Sequence, residues 1–311
     1  MGDLFSITFI VALLSASIRL TVPILFAALG GMYSERSGVN NIGLEGFMLM
    51  GAFTGVVGAY YSGSPWIGII AAMVSGVFIA GIFAFATVKV KINQIVSAVA
   101  TNLLAVGLTS YFFRALFGIT TVPITVESFS PLKIPILSDI PILGDILFSH
   151  NILVYICFLL VPISSFILYK TSWGLSIRTV GEHPMAADTV GISVDRLRTI
   201  CVLISGGLAG LGGAFLSLGQ FNMFVDNMVS GRGFIAVAAV IFGKWSPKGI
   251  LLASLLFGFA DALQIRVQMM DAINIPYQFL LMFPYVLTII AVTGIVGKSE
   301  APRALGKPYE K

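Results

Sequence analysis

Long uncharged stretches alternate with short polar breaks along this chain, and their spacing predicts its architecture. Apolar runs occupy 4–32, 44–62, 65–88, 92–117, 150–170, 197–220, 231–243, 247–270 and 276–297. A run of about 20 apolar residues can cross a bilayer as a helix. Lipid offers backbone groups no hydrogen-bond partners, so only helices or closed barrels cross it. Barrel strands would alternate apolar and polar residues in short segments, whereas these runs are continuous. The pattern predicts an all-α, polytopic integral membrane protein with eight to ten transmembrane helices. The run 231–243 is too short for a full crossing and predicts a broken or re-entrant helix buried in protein. No low-complexity segment or separate soluble domain interrupts 1–311, which reads as a single domain.

Composition agrees. Of 311 residues, 57% are hydrophobic and 10% charged, against about 25% charged in a soluble domain; mean hydropathy is +0.98. The net charge of +4 fits cationic cytoplasmic loops better than a nucleic-acid surface. Counting Lys and Arg places 89–91, 170–198, 244–248 and the tail 298–311 inside. The loop 118–149, with Lys133 beside Glu127, Asp139 and Asp145, falls outside. Cys157 and Cys201 lie in apolar runs and suggest neither a disulfide framework nor a metal site. The start, MGDLFSITFIVALL, lacks a basic region and a cleavage site and reads as mature protein.

Catalytic motifs are wanting. The stretch GIVGKS at 294–299 has Val292 where a phosphate-binding loop needs glycine, and it ends an apolar run. His150 and His183 lack metal-ligand spacing. The chain is therefore expected to bind no cofactor and to be no enzyme.

Polar residues inside apolar runs are costly and face a pathway or another helix. Asn93, Ser97 and Thr101 step by four and share a helical face. Asp261, Gln264 and Gln268 do the same at i, i+3 and i+7, with Arg232 or Arg266 as a possible ion partner for Asp261. Both stripes fit a translocation lining or interhelical glue. GLEGFMLMGAF (43–53) and GLAGLGGAF (207–215) share a glycine spacing that fits an internal repeat or close helix packing.

Two segments stand out. In SERSGVNNIGLEG (34–46), charge and glycine forbid an ordinary lipid-facing helix; Glu35 and Arg36 fit a solvated turn. In 174–193, Pro184 suits the first position of a helix and Gly191 a left-handed stop. The two turns between them are too short to be stable alone and need a partner surface.

Gly174, Arg178, Gly181, Pro184, Ala186, Ala187, Gly191 and Ile192 resemble the cytoplasmic coupling segment of ABC importer permeases that serve ribose, branched-chain amino acids and nucleosides, and Glu182 within it is a further expected coupling residue. SGVNNIGLEGFMLMGAF, SGGLAGLGGAF and GFIAVAAVIFGKWSPKG extend the resemblance over nearly the whole chain, closest to the nucleoside and simple-sugar branch. The resemblance implies a bacterial inner-membrane permease with a cytoplasmic C-terminus. It implies three kinds of partner: an ATP-binding subunit that alone uses ATP, a second and different permease chain, and an extracytoplasmic lipoprotein receptor. It also implies that the 34–46 stretch enters the permease core as a broken helix, with Asn40, Asn41 and Glu45 beside the path. Nucleosides such as guanosine or uridine are the expected cargo, with ribose or another simple sugar as the alternative. A transporter driven by an ion gradient would need more intramembrane carboxylates than Glu45 and Asp261.

Overall fold

A computed structural model describes residues 7–118, 123–133, 138, 140–268, 282, 286 and 300–310. The GIVGKS stretch, Asp139 and most of the 276–297 run lie outside the described residues. The described residues are mostly helical. In order come α1 (Ile7–Arg36), α2 (Leu44–Ser62), α3 (Pro65–Ala84, continued by a π-wound turn to Lys89) and α4 (Gln94–Phe117). A short antiparallel pair, β1 (Leu132–Lys133) with β2 (Ser149–His150), flanks the one-turn α5 (Leu143–Leu147). Then follow α6 (Ile152–Lys170), α7 (Ser172–Glu182), α8 (Pro184–Thr189) and α9 (Val194–Ala214, π-wound to Gln220). The last elements with described bounds are α10 (Arg232–Phe242) and α11 (Pro247–Gln268).

Six described helices are long and apolar enough to cross a membrane: α1, α3, α4, α6, α9 and α11, with α3 and α9 counted through their π turns. The nineteen-residue α2 is of crossing length but carries Glu45 in its first turn and is mostly buried by its neighbours. The run at 231–243 forms the eleven-residue α10.

In lipid, apolar side chains gain nothing by leaving the solvent, so helices associate by close packing and hydrogen bonding. Small residues make that packing possible here. The core of the bundle is α1, buried from Leu20 to Glu35, with α9 lying along α1, α2 and α3. The two glycine-spaced segments of the sequence are each other's partners. A Cβ on Gly213 would overlap the Met48 carbonyl of α2, and a Cβ on Gly51 would overlap that of Gly210. On the outer faces, Ile70, Val74 and Phe78 of α3 and Ile95, Val99 and Leu103 of α4 are exposed, which suits lipid or a second membrane chain.

The four segments predicted to share one side do gather at one end of the bundle. Lys89 pairs with Asp195 at 3.7 Å, Arg36 Nε donates to the Trp245 carbonyl at 2.8 Å, and Ala304 N–H donates to the Gly181 carbonyl at 2.9 Å. At the opposite end, Arg114 pairs with Asp226 at 3.5 Å, and Asn151 Nδ2 donates to the Gly219 carbonyl at 3.1 Å. There His150 is buried with Nε2 2.7 Å from the Ile146 carbonyl; burial lowers its pKa below the ordinary histidine value.

Gly213→Val should force α2 and α9 apart and cost about 1–3 kcal/mol, read as a lower unfolding temperature in detergent. Gly107→Val, where a side chain meets open space, should leave that temperature unchanged.

Candidate functional site

The polar stretch 34–46 is where the bundle is tied together. Helix α1 runs on through Glu35 and Arg36, so neither is in a solvated turn; Glu35 is 2% exposed and Arg36 is partly buried. The Glu35 carboxylate accepts the indole N–H of Trp245 at 2.6 Å. Lys244 and Trp245 both adopt left-handed backbone, with φ 54° and 50°; they follow α10 and bring the chain to Arg36 and Glu35. The expected surface turn is thus corrected: a carboxyl group on the last turn of α1 lies inside, where a distant Trp donates a hydrogen bond to it.

Past Arg36 the chain is no longer helical; the N–H groups of Ser37, Gly38 and Val39 bond back to the end of α1, and other groups of the turn find partners on other elements. The Ser37 carbonyl accepts Arg198 Nε of α9 at 3.1 Å. Gly38, at φ 97°, has no room for a Cβ, which would sit 2.7 Å from Arg198 Nη2. Its carbonyl accepts Gly306 N–H at 3.1 Å. Asn40 N–H donates to Gln94 Oε1 of α4 at 2.7 Å. Asn41 is buried, and its Nδ2 donates to Ser205 Oγ of α9 at 2.8 Å. Asn102 of α4 bridges the start of α2, donating to the Ile42 carbonyl at 3.1 Å and accepting Gly46 N–H at 2.9 Å. Glu45 spans to α10: Oε1 accepts Gly231 N–H at 2.8 Å and Oε2 accepts Gly233 N–H at 2.7 Å. A carboxylate there satisfies N–H groups that the helix start leaves open and complements the positive end of its dipole.

The stripe on α4 divides. Asn93 precedes the helix, is exposed, and caps it through Oδ1, which accepts Ile95 and Val96 N–H at 2.9 and 3.2 Å. It therefore does not extend the face of Ser97 and Thr101, because a cap residue leaves helical geometry. Ser97 and Thr101 are buried, with Thr101 Oγ1 donating to the Ser97 carbonyl at 2.7 Å. Asp261 on α11 is half-buried, in the field of Arg232.

The 174–193 segment forms a knuckle at the tail end of the bundle. Gly181 packs directly on the Arg36 carbonyl, where no Cβ fits. Arg178 lies over the Tyr169 ring at 5.4 Å. Glu182 Oε2 accepts Arg303 N–H at 3.4 Å. Pro184 opens α8, and Gly191 closes the turn at φ 85°. Ala187 is fully buried against the chain's own core, while Ala186, Met185 and Val190 face outward, the last two 70% and 72% exposed. Met185 and Val190 lie in the segment that the sequence marks as needing a partner surface, and they are its most exposed apolar residues. The sequence reading misses a different residue. It counts Arg198 as one more cytoplasmic cation; Arg198 is 2% exposed and ties α9 to Ser37 and to the Lys307 carbonyl.

Glu45→Ala should destabilise the protein far more than Glu45→Gln, since alanine leaves two helix-start N–H groups unpaired at about 1–3 kcal/mol each. Glutamine keeps one acceptor. Thermal unfolding of the two purified variants in the same detergent checks the order.

Comparison with known proteins adds the following. The family model described as branched-chain amino acid transport system / permease component matches residues 13–292. The guanosine ABC transporter permease protein NupQ of Bacillus subtilis is 46% identical over 95% of each chain. The nucleoside ABC transporter permease protein NupC of Lactococcus lactis is 38% identical over 94% of each. A putative glucose ABC transporter permease protein, TsgC13 of Haloferax volcanii, is 36% identical over 98% of this chain and 99% of its own. No solved structure matches.

Proposed function

Since the chain belongs to the permease-component family of the branched-chain amino acid transport system, we propose that it is the membrane half of an ATP-driven importer of nucleosides. The observation that carries this reading is the α7–α8 knuckle: a two-turn surface helix with outward Met185, Ala186 and Val190, locked through Gly181 onto the end of α1. A helix that short is stable only against a scaffold, and its outward apolar side chains suit a groove on an ATP-binding subunit. The nearly full-length likeness to guanosine and nucleoside permeases supports nucleoside cargo over sugar.

In this reading 1–311 is one permease domain with 174–193 as its coupling segment, in a bacterial cytoplasmic membrane with the tail inside. This reading keeps eight to ten crossings; the six described spans and buried α2 are among them, and half-length α10 enters the bilayer without crossing it. ATP is consumed by a separate subunit, so this chain binds no cofactor. A lipoprotein receptor delivers cargo on the side of Arg114 and Asp226. The path runs along a face shared with a second, different permease. Asn93 and Asp261 remain accessible to it, while Asn40, Asn41, Glu45, Ser97 and Thr101 brace the bundle beside it.

Proteoliposomes holding the complete transporter should take up guanosine with internal ATP and an ion gradient collapsed by uncoupler. Ribose in excess should not compete. Ala186→Arg should abolish uptake while leaving membrane insertion intact, because that residue faces the ATP-binding subunit. Uptake that stops with the uncoupler at constant ATP would give the role to an ion-driven carrier instead.

A further inference from the structure

Beneath the knuckle lies a groove of about 730 Å³ that the coupling helix does not form alone. One wall is α8, through Pro184, Met185 and Ala186; the other is the C-terminal tail, through Arg303, Lys307 and Pro308. The tail is held in place by backbone contacts on three sides. Ala304 N–H donates to the Gly181 carbonyl at 2.9 Å and Gly306 N–H to the Gly38 carbonyl at 3.1 Å. Arg198 Nη1 donates to the Lys307 carbonyl at 3.0 Å. Arg198 also lines the groove and keeps one buried nitrogen, Nη2, without a hydrogen-bond partner. Arg303 and Lys307 are exposed. The tail's main chain is thus spent on holding the knuckle to the 36–38 turn, while its cationic side chains are left to face outward.

We propose that the tail is the second half of the docking surface for the ATP-binding subunit, and that the groove between tail and α8 takes an acidic segment of that subunit. The inference rests on the importer reading above and extends it to residues outside the coupling segment. Three observations favour this occupant. The groove is continuous with the outward face of α8. Its lining sets Arg198, Arg303 and Lys307 against Glu182 and Glu310, which leaves a positive balance, and the exposed Arg303 and Lys307 are open to a carboxylate-bearing partner. Its volume is large enough for several side chains. Charge across such a surface governs encounter and register as well as affinity. The tail would then register whether the ATP-binding subunit is seated and pass its movement to the 36–38 turn directly, in parallel with α8.

The test uses the complete permease pair in nanodiscs and the purified ATP-binding subunit, with affinity measured with and without about 1 M salt. Arg303→Glu with Lys307→Glu should weaken binding about ten-fold or more at low salt. High salt should bring wild type and variant together. The milder pair Arg303→Gln and Lys307→Gln should fall between, and keeps the test open if charge reversal disturbs folding. Equal affinity for wild type and both variants overturns the proposal. So does an effect seen only in discs of anionic lipid and absent in neutral lipid, which assigns the groove to headgroups. If the wild-type permease binds no ATP-binding subunit, the importer reading itself fails. If Ala186→Arg abolishes binding and the tail variants do not alter it, only the tail inference fails.

Discussion

A chain that stops being helical inside a packed bundle must find partners for the backbone groups it releases, because a buried group left unpaired is costly. That constraint shapes this molecule between Arg36 and Leu44. The break in α1 is affordable only because α4, α9, α10 and the C-terminal tail each send a group to it: Gln94 and Asn102, Arg198 and Ser205, the α10 start, and Gly306. Remove the break and α10 would lose the carboxylate that caps it. Remove α10 and Glu45 would be a charge without donors. The break and the short helix are therefore one structural unit.

That unit also bears on movement. Gly181 rests on the Arg36 carbonyl, so the knuckle and the end of α1 meet main chain to main chain. Backbone contacts of this kind have little give, and packed elements move as bodies and not by gradual bending. In the proposed importer, a displacement of α8 by the ATP-binding subunit arrives at the 36–46 turn. From there Glu45 carries it to α10, and Asn102 and Gln94 carry it to α4, whose outer face is free for a partner chain. The close glycine contacts of α9 with α2 keep the core rigid while this happens.

Several local features were legible in the residues themselves. Pro184 and Gly191 bounded the two-turn helix, and Gly191 indeed takes left-handed backbone. The cationic segments predicted to lie on one side do converge on one end. Other residues were misread for physical reasons. Glu35 was judged by its own charge, when a Trp far along the chain makes its burial tolerable. Asn93 matched a helical spacing, but its side chain bonds its own backbone and starts the helix instead of lying on it. Ala187 sat in the centre of the exposed helix by sequence, yet the turn of that helix points Ala187 inward and Ala186 outward.

By itself the sequence determined that this protein is a bundle of membrane helices, which stretches break them, and which end carries positive charge. Those are local quantities: the transfer cost of a residue and the preference of a turn depend on near neighbours. Only the tertiary structure decided what each polar residue does. Glu35 meets Trp245 across 210 residues of chain, Glu45 meets Gly233 across 188 and Asn41 meets Ser205 across 164. A buried polar group is neutral, costly or organising according to its partner, and no spacing within a segment names a partner that distant.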